Sequence, residues 1–136
     1  MKTLTIVLLL LVVFVSCEFE DANVTQTQPT IKRDVNKFVE EYYDNSIAAE
    51  NRYRGERVDI VGVIDGFGVE LMGRPYIIFK RDNYRHPYVQ AVFLTSDKST
   101  LERLRKGQTI RAWCTVGSHM FGSVGLRNCR YISTVR

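Results

Sequence analysis

Two histidines, three cysteines and fifteen acidic residues are the side chains from which this 136-residue chain could build a reactive centre. His86 and His119 stand in separate polar segments. No Gly-x-Ser-x-Gly elbow, phosphate-binding glycine loop or His-Glu-x-x-His pair accompanies them. Asp59 and Asp65 flank one apolar run, while Asp82 and Asp97 fall in polar connections, so the carboxylates are scattered rather than paired. Cys114, His119 and Cys129 are too few and too widely spaced for a zinc site. The sequence therefore argues against an enzyme and calls for no metal and no cofactor.

The remaining chemistry is that of a binding surface. Phe67, Arg74, Tyr76, Lys80, Arg81, Tyr84, Arg85, Tyr88, His119, Met120 and Phe121 interleave aromatic and basic side chains. Rings can stack on a ligand while cations follow its negative groups. Residues 18–50 carry 3 basic and 8 acidic residues, whereas residues 51–136 carry 15 basic and 7 acidic ones. The basic excess lies in the same part of the chain as the aromatics, which suits an anionic partner. A plain solvated surface explains the charges too, and Tyr and Phe favour strands whatever they bind.

Residues 29–52 show Ile31, Val35, Phe38, Val39, Tyr42 and Ala49 at helical spacing, which predicts a helix with Thr30 as N-cap. Asn45 falls on that apolar stripe, so the pattern buries it and requires hydrogen-bond partners for it. Residues 56–65 (ERVDIVGVID) form the central strand. Val58, Ile60, Gly62 and Ile64 share one face, and Val61 and Val63 the other. Gly62 is expected to mark a bulge or bend there. Gly66-Phe67-Gly68 reads as a loop and 72–75 as a turn. Strands follow at 76–80 and 88–94, then a short helix at 99–104 with Ser99 and Glu102 at capping-box spacing. Strands at 109–116 and 124–132 flank a loop at 117–123. One helix, three strands, a short helix and two strands make a mainly β fold: a five-stranded Greek-key barrel of the OB type, with an N-terminal helix and a short helix between strands 3 and 4.

Such barrels bind on the outer face of their second and third strands and on the adjoining loops, which is where the aromatic and basic residues above fall. Cys114 and Cys129 lie on consecutive strands, almost equidistant from the middle of the intervening loop. Antiparallel pairing sets them opposite one another as a disulfide in an oxidising compartment. Strict alternation would turn Val124 and Leu126 away from Cys129 unless a bulge intervenes near Arg127-Asn128.

The first 17 residues, MKTLTIVLLLLVVFVSC, combine Lys2 with an apolar run of 4–15. That is shorter than the about 20 residues that span a bilayer and has the length of a signal-peptide core. Its end, Phe14-Val15-Ser16-Cys17, resembles a bacterial lipobox, which implies lipidation of Cys17. Simple secretion with cleavage after Cys17 and a retained anchor are the rival readings. Asn23-Val24-Thr25 fits a glycosylation acceptor only in a eukaryotic secretory route. Residues 18–28 are polar and acidic and read as a flexible tether, leaving 29–136 as the folded domain.

Asn45, Ala48-Ala49, Tyr53, Gly55, Val58, Ile60 and Gly62-Val63, then Leu104-x-x-Gly107, Cys114 and Leu126-x-x-Cys129, together resemble the tRNA_anti-like family. The resemblance covers about 31–132. It implies an OB-fold, often on a bacterial envelope protein or lipoprotein, and its motifs are structural. Two function classes follow. One is a non-catalytic module of the bacterial cell envelope, held to the membrane by a lipid anchor, that recognises an envelope protein, a glycan or a small ligand. The other is an OB-fold that grips single-stranded nucleic acid. An export leader favours the first, since an exported domain rarely meets intracellular RNA.

Overall fold

The computed structural model describes residues 28–136. The expected signal peptide, Cys17 and the tether up to residue 27 lie outside the described residues. The element order is β1 (Ile31–Asp34), α1 (Val35–Asp44), α2 (Ser46–Tyr53), β2 (Arg57–Val69), β3 (Pro75–Phe79), β4 (Tyr88–Phe93), a 3-10 turn (Thr95–Asp97), α3 (Lys98–Leu101), β5 (Thr109–Met120) and β6 (Ser123–Val135).

Strand β2 is the hinge of the barrel. Its first half, Arg57 to Val63, pairs antiparallel with β5. Its second half, from Ile64 to Val69, pairs antiparallel with β3. The sheet runs β1-β2-β3-β4-β6-β5, and the β2–β5 pairing closes it. Five strands, β2 to β6, thus form a closed OB-type barrel, with β4 and β6 meeting in parallel at one seam. Val58, Ile60 and Ile64 face inward with Ile77, Phe79, Val89, Ala91, Phe93, Ile110, Ala112, Cys114, Val116, Val124, Leu126 and Cys129, all buried. This is the alternation that the sequence shows.

Several expectations are corrected. The segment 29–52 is not one helix. Residues Ile31–Asp34 form a strand parallel to β2, with Ile31 opposite Val58 and Asp34 opposite Val61. Ile31 and Val35 share helical spacing, but the edge of β2 offers unpaired backbone groups, and β1 satisfies them. The N-cap is Asp34, not Thr30: its Oδ1 accepts from the Asn36 N–H at 2.8 Å. Asn45 is exposed rather than buried. It divides the helix in two by capping α2, its Oδ1 accepting from the Ala48 N–H at 3.0 Å, because a short amide side chain competes with the helical backbone.

Gly62 is not the bulge. The register of β2 shifts between Ile64 and Gly66, and Gly62 serves close packing instead. A Cβ there would lie 2.5 Å from Val35 Cγ2 and 2.7 Å from Phe79 Cδ1. The helix α1 can reach the barrel because this position has no side chain. Gly66-Phe67-Gly68 is strand, not loop, extending β2 to Val69.

The expected short helix at 99–104 begins one residue earlier and ends at Leu101, and no side-chain cap bond forms at its start. Leu101 and Leu104 are nevertheless buried against the barrel. The expected 117–123 loop contracts to a tight hairpin, β5 continuing to Met120 and β6 starting at Ser123. Phe121 (φ 49°) and Gly122 (φ 73°) are its central residues, as a primed two-residue turn requires.

Cys114 and Cys129 are joined as a disulfide, with Cα atoms 4.1 Å apart. The register between β5 and β6 slips by one residue beside them, Trp113 facing Arg130 and Thr115 facing Arg127. Asn128, at φ 49°, absorbs the extra residue. That bulge keeps Leu126 and Cys129 on the same inner face.

Candidate binding site

Adjacent residues on a strand point to opposite faces, so the buried Ile77, Phe79, Val89, Ala91 and Phe93 leave Tyr76, Ile78, Tyr88, Gln90 and Val92 outside, half-buried. Tyr76 faces Val92, and Ile78 faces Gln90. On the other side Tyr76 faces Gly68 of β2. A Cβ on Gly68 would fall 2.2 Å from Tyr76 Cζ, so the tyrosine ring lies across the glycine backbone. The outer surface of β3 and β4 is therefore an uncharged strip of Ile78, Val92 and Gln90 with tyrosines at each end.

The cations collect at the Tyr88 end. Lys80, Arg81, Tyr84 and Tyr88 line a depression of 290 Å³ with Asp65, Ile78 and Phe79. The Arg81 guanidinium sits 5.6 Å from the centre of the Tyr84 ring, in cation–π range, and donates to the His86 carbonyl. Tyr84 is 88% exposed. Arg85 is exposed as well, its backbone N–H bonded to Asn83 Oδ1 at 2.9 Å.

Arg81, Tyr84 and Arg85 also border a second cavity of 320 Å³, which adds Tyr42, Tyr43, Ser46, His86, Pro87, His119 and Gly122. The end of α1 and the α1–α2 junction form one wall and the 80–87 loop the other. The Tyr43 and His86 rings are 5.1 Å apart, and those of Tyr42 and His119 5.3 Å apart. The His119 backbone N–H donates to Glu50 Oε1 at 2.9 Å, fixing β5 to α2. Burial, then the nearby charges of Glu50 and Tyr53, raise the Tyr42 hydroxyl pKa well above the ordinary tyrosine value. The Tyr42 hydroxyl and His86 Nδ1 are buried without a hydrogen-bond partner among the described residues.

Other expected site residues lie elsewhere. Phe67 faces Ile77 across β2–β3, so it shares the inward side of the hairpin, beyond the end of the barrel. There it borders an open apolar cavity of 540 Å³ with Val69, Pro75, Leu101 and Leu104, edged by Tyr76, Lys98, Arg105 and Lys106. Arg74 is held by Glu70 within its own turn. Phe121 projects from the β5–β6 turn, 95% exposed, with Met120 beside it. The structure thus gathers Arg81, Tyr84, Arg85 and His119, sets Lys80, Tyr88 and Tyr76 along the neighbouring face, and separates Phe67, Arg74 and Phe121 from them. Tyr42, Tyr43 and His86 join the site although sequence reasoning placed two of them in a helix and dismissed the third. The readable signal was Tyr42 itself: a tyrosine on a buried stripe brings a hydroxyl that needs a partner.

The remaining polar clusters are structural. Asp59, 3% exposed, accepts two bonds from Arg111 Nε, at 2.8 and 3.1 Å, and one from Nη2 at 2.6 Å, locking β2 to β5. Tyr53 bonds Glu41 and accepts from Arg33 Nε at 3.0 Å, joining β1 to both helices. Among the described residues no three metal-ligating side chains cluster, and no helix is long and apolar enough to cross a membrane.

The family model of tRNA_anti-like proteins matches residues 1–130. No curated protein gives a significant match. Among solved structures, a proposed nucleic acid-binding lipoprotein from Klebsiella pneumoniae subsp. pneumoniae MGH 78578 superposes with a TM-score of 0.61 at 18% identity, over 75% of this chain and 91% of that one. A replication factor A related protein from Methanobacterium thermoautotrophicum gives a TM-score of 0.42 at 17% identity, over 58% of this chain and 83% of that one. At 18% identity the likeness to the Klebsiella protein is one of fold.

Proposed function

The chain belongs to the tRNA_anti-like family of OB-fold proteins, and from that premise we propose that it is a non-catalytic module of the bacterial cell envelope, lipidated at Cys17, that captures an envelope protein, glycan or small ligand on the outer face of β3 and β4. The observation that carries the reading is the union of exposed or half-exposed tyrosines 76, 84 and 88 with Lys80, Arg81 and Arg85. None of these three cations has an acidic partner among the described residues, whereas Arg74 and Arg111 do. Cations free of internal ion pairs and rings free of core packing are available to a ligand. The strip between the tyrosines holds Ile78 and Val92 with the uncharged Gln90 and no cation, which favours contact by rings and aliphatic groups over a line of phosphates.

A second reading, single-stranded nucleic acid on the same face, is favoured by the likeness to the Klebsiella lipoprotein, for which nucleic-acid binding is proposed. Salt separates the two. Each phosphate neutralised by Lys or Arg steepens the loss of affinity with salt, while a partner held by rings is far less salt-sensitive.

The test is a pull-down from envelope extract at low and high salt. It compares wild type with Tyr76→Ala/Tyr88→Ala and with Arg81→Ala/Arg85→Ala. The tyrosine pair is expected to lose the partner and the arginine pair to weaken it. Equal capture by all three folded proteins would remove this face from consideration. Cys17→Ser, followed by radiolabelled fatty acid and membrane partition, tests the anchor: a wild-type protein that takes up no label and stays soluble would refute it.

A further inference from the structure

The 320 Å³ cavity beside α1 has features that the open β3–β4 face lacks. Tyr42 is 2% exposed, stands in the cavity wall and keeps its hydroxyl unpartnered among the described residues. His86, in the opposite wall, holds Nδ1 in the same condition. Buried polar atoms are almost always satisfied, so two orphans on residues that wall one cavity are a standing cost unless something else engages them. The charge around them is selective. Arg81 and Arg85 border the cavity. Glu50, whose charge also bears on the Tyr42 hydroxyl, is engaged by the His119 N–H at 2.9 Å and by Arg54 at 3.9 Å. Tyr43, 50% exposed, and Tyr84, 88% exposed, leave ring surface at the mouth.

We infer that this cavity is a binding site for a small oxyanion, a phosphate or a carboxylate carried on a compact planar body. The Tyr42 hydroxyl donates to one oxygen of the anion. The guanidinium of Arg81 is already oriented by its bond to the His86 carbonyl and supplies further donors, as guanidinium groups do for oxyanions. Arg85, free in solvent, closes over the charge. The Tyr43 and Tyr84 rings cover the planar body. The cavity is at the small end of ligand pockets, which run from about 300 Å³ upward, and so admits a compact molecule rather than a polymer segment. The inference does not rest on the outer face of β3 and β4: Tyr76 and Tyr88 do not border this cavity.

The probes are phenyl phosphate, benzoate and, as the uncharged control, phenol, titrated into the purified mature chain. Backbone amide chemical shifts of Tyr43, His86 and His119 report occupancy. Saturable shifts are expected with phenyl phosphate, benzoate or both, which identifies the preferred oxyanion, and none with phenol. Tyr42→Phe keeps the ring and removes only the donor; it should weaken binding about tenfold, the usual effect of losing one hydrogen bond to a charged group. Arg85→Gln, an exposed change that leaves the fold intact, should weaken it to a similar extent, and Tyr76→Ala/Tyr88→Ala should leave it unchanged. The inference is overturned if neither anion shifts these amides saturably, if phenol does so equally, or if Tyr42→Phe and Arg85→Gln both bind as wild type.

Discussion

Gly62→Ala sets a methyl group against two packed side chains, and its cost follows from the distances. The added methyl would stand 2.5 Å from Val35 Cγ2 and 2.7 Å from Phe79 Cδ1, whereas relaxed carbon contacts lie at about 3.5–4.0 Å. Something must move by about 1 Å, yet Val35 and Phe79 are each 1% exposed and packed on every side. Overpacking of this kind costs roughly 1–3 kcal/mol. Alanine returns about 0.5–1 kcal/mol by restricting the unfolded chain. With two rigid neighbours in the way, the net loss should be about 1–2 kcal/mol, a sizeable part of a typical stability of about 5–15 kcal/mol. Urea denaturation followed by the fluorescence of Trp113, the single tryptophan, measures it at unchanged m-value. Val35→Ala removes the nearest obstructing atom. The double variant should therefore be more stable than the two single losses add up to, by about 1 kcal/mol. A neutral or stabilised Gly62→Ala, or strict additivity with Val35→Ala, would refute the claim that glycine is there to admit the helix.

Reducing the Cys114–Cys129 bridge, or replacing both with Ser, should cost about 3 kcal/mol from a loop of 15 residues, read as a lowered melting temperature, and the unreduced mature domain should show neither thiol to titration. Arg111→Met should cost roughly 3 kcal/mol, because it leaves the Asp59 carboxylate, 3% exposed, without the guanidinium that satisfies it; the paired change Asp59→Leu/Arg111→Met should recover most of that in the same denaturation assay. Tyr42 and Tyr53 are both raised above the ordinary value of 10.0, Tyr42 by burial, Glu50 and Tyr53, and Tyr53 by burial and its bond to Glu41. Their neutral forms are favoured in the folded state, so that contribution is complete below pH 10 and is lost as pH rises through the folded values. Alkaline denaturation above pH 10 should accordingly be delayed in Tyr42→Phe.

The barrel was legible in the sequence because its strands alternate cleanly. Val58, Ile60 and Ile64, or Ile110, Ala112 and Cys114, announce an inner face at period two, and the structure buries them. The N-terminal strand was not legible, since Ile31 and Val35 fit a helical stripe as well as a strand followed by a helix. Only the capping bond of Asp34 and the open edge of β2 decide between them. Gly62 and Gly68 gave the correct residue type and the wrong cause: both make room for a neighbour, Val35 in one case and the Tyr76 ring in the other. The outer-face tyrosines could be listed from composition and strand order. The cavity beside them could not, because Tyr42, His86 and His119 come from three segments that meet only when α1 packs against the hairpin and the 80–87 loop.

The parallel strand β1 has a mechanical consequence. Any load transmitted along the N-terminal end of the chain enters the fold at Ile31, and the first resistance it meets is the ladder that sets Ile31 to Asp34 beside Val58 to Val61. A pull along the strand axis strains those bonds side by side, in shear, rather than peeling them one after another. Immediately behind stands Val35, wedged over Gly62 as a stop. Tension at the N-terminus is thereby passed into β2, the strand shared by both halves of the barrel, while α1 hands a second share to the β3–β4 connection through the bond from the Asp82 N–H to Asn36 Oδ1.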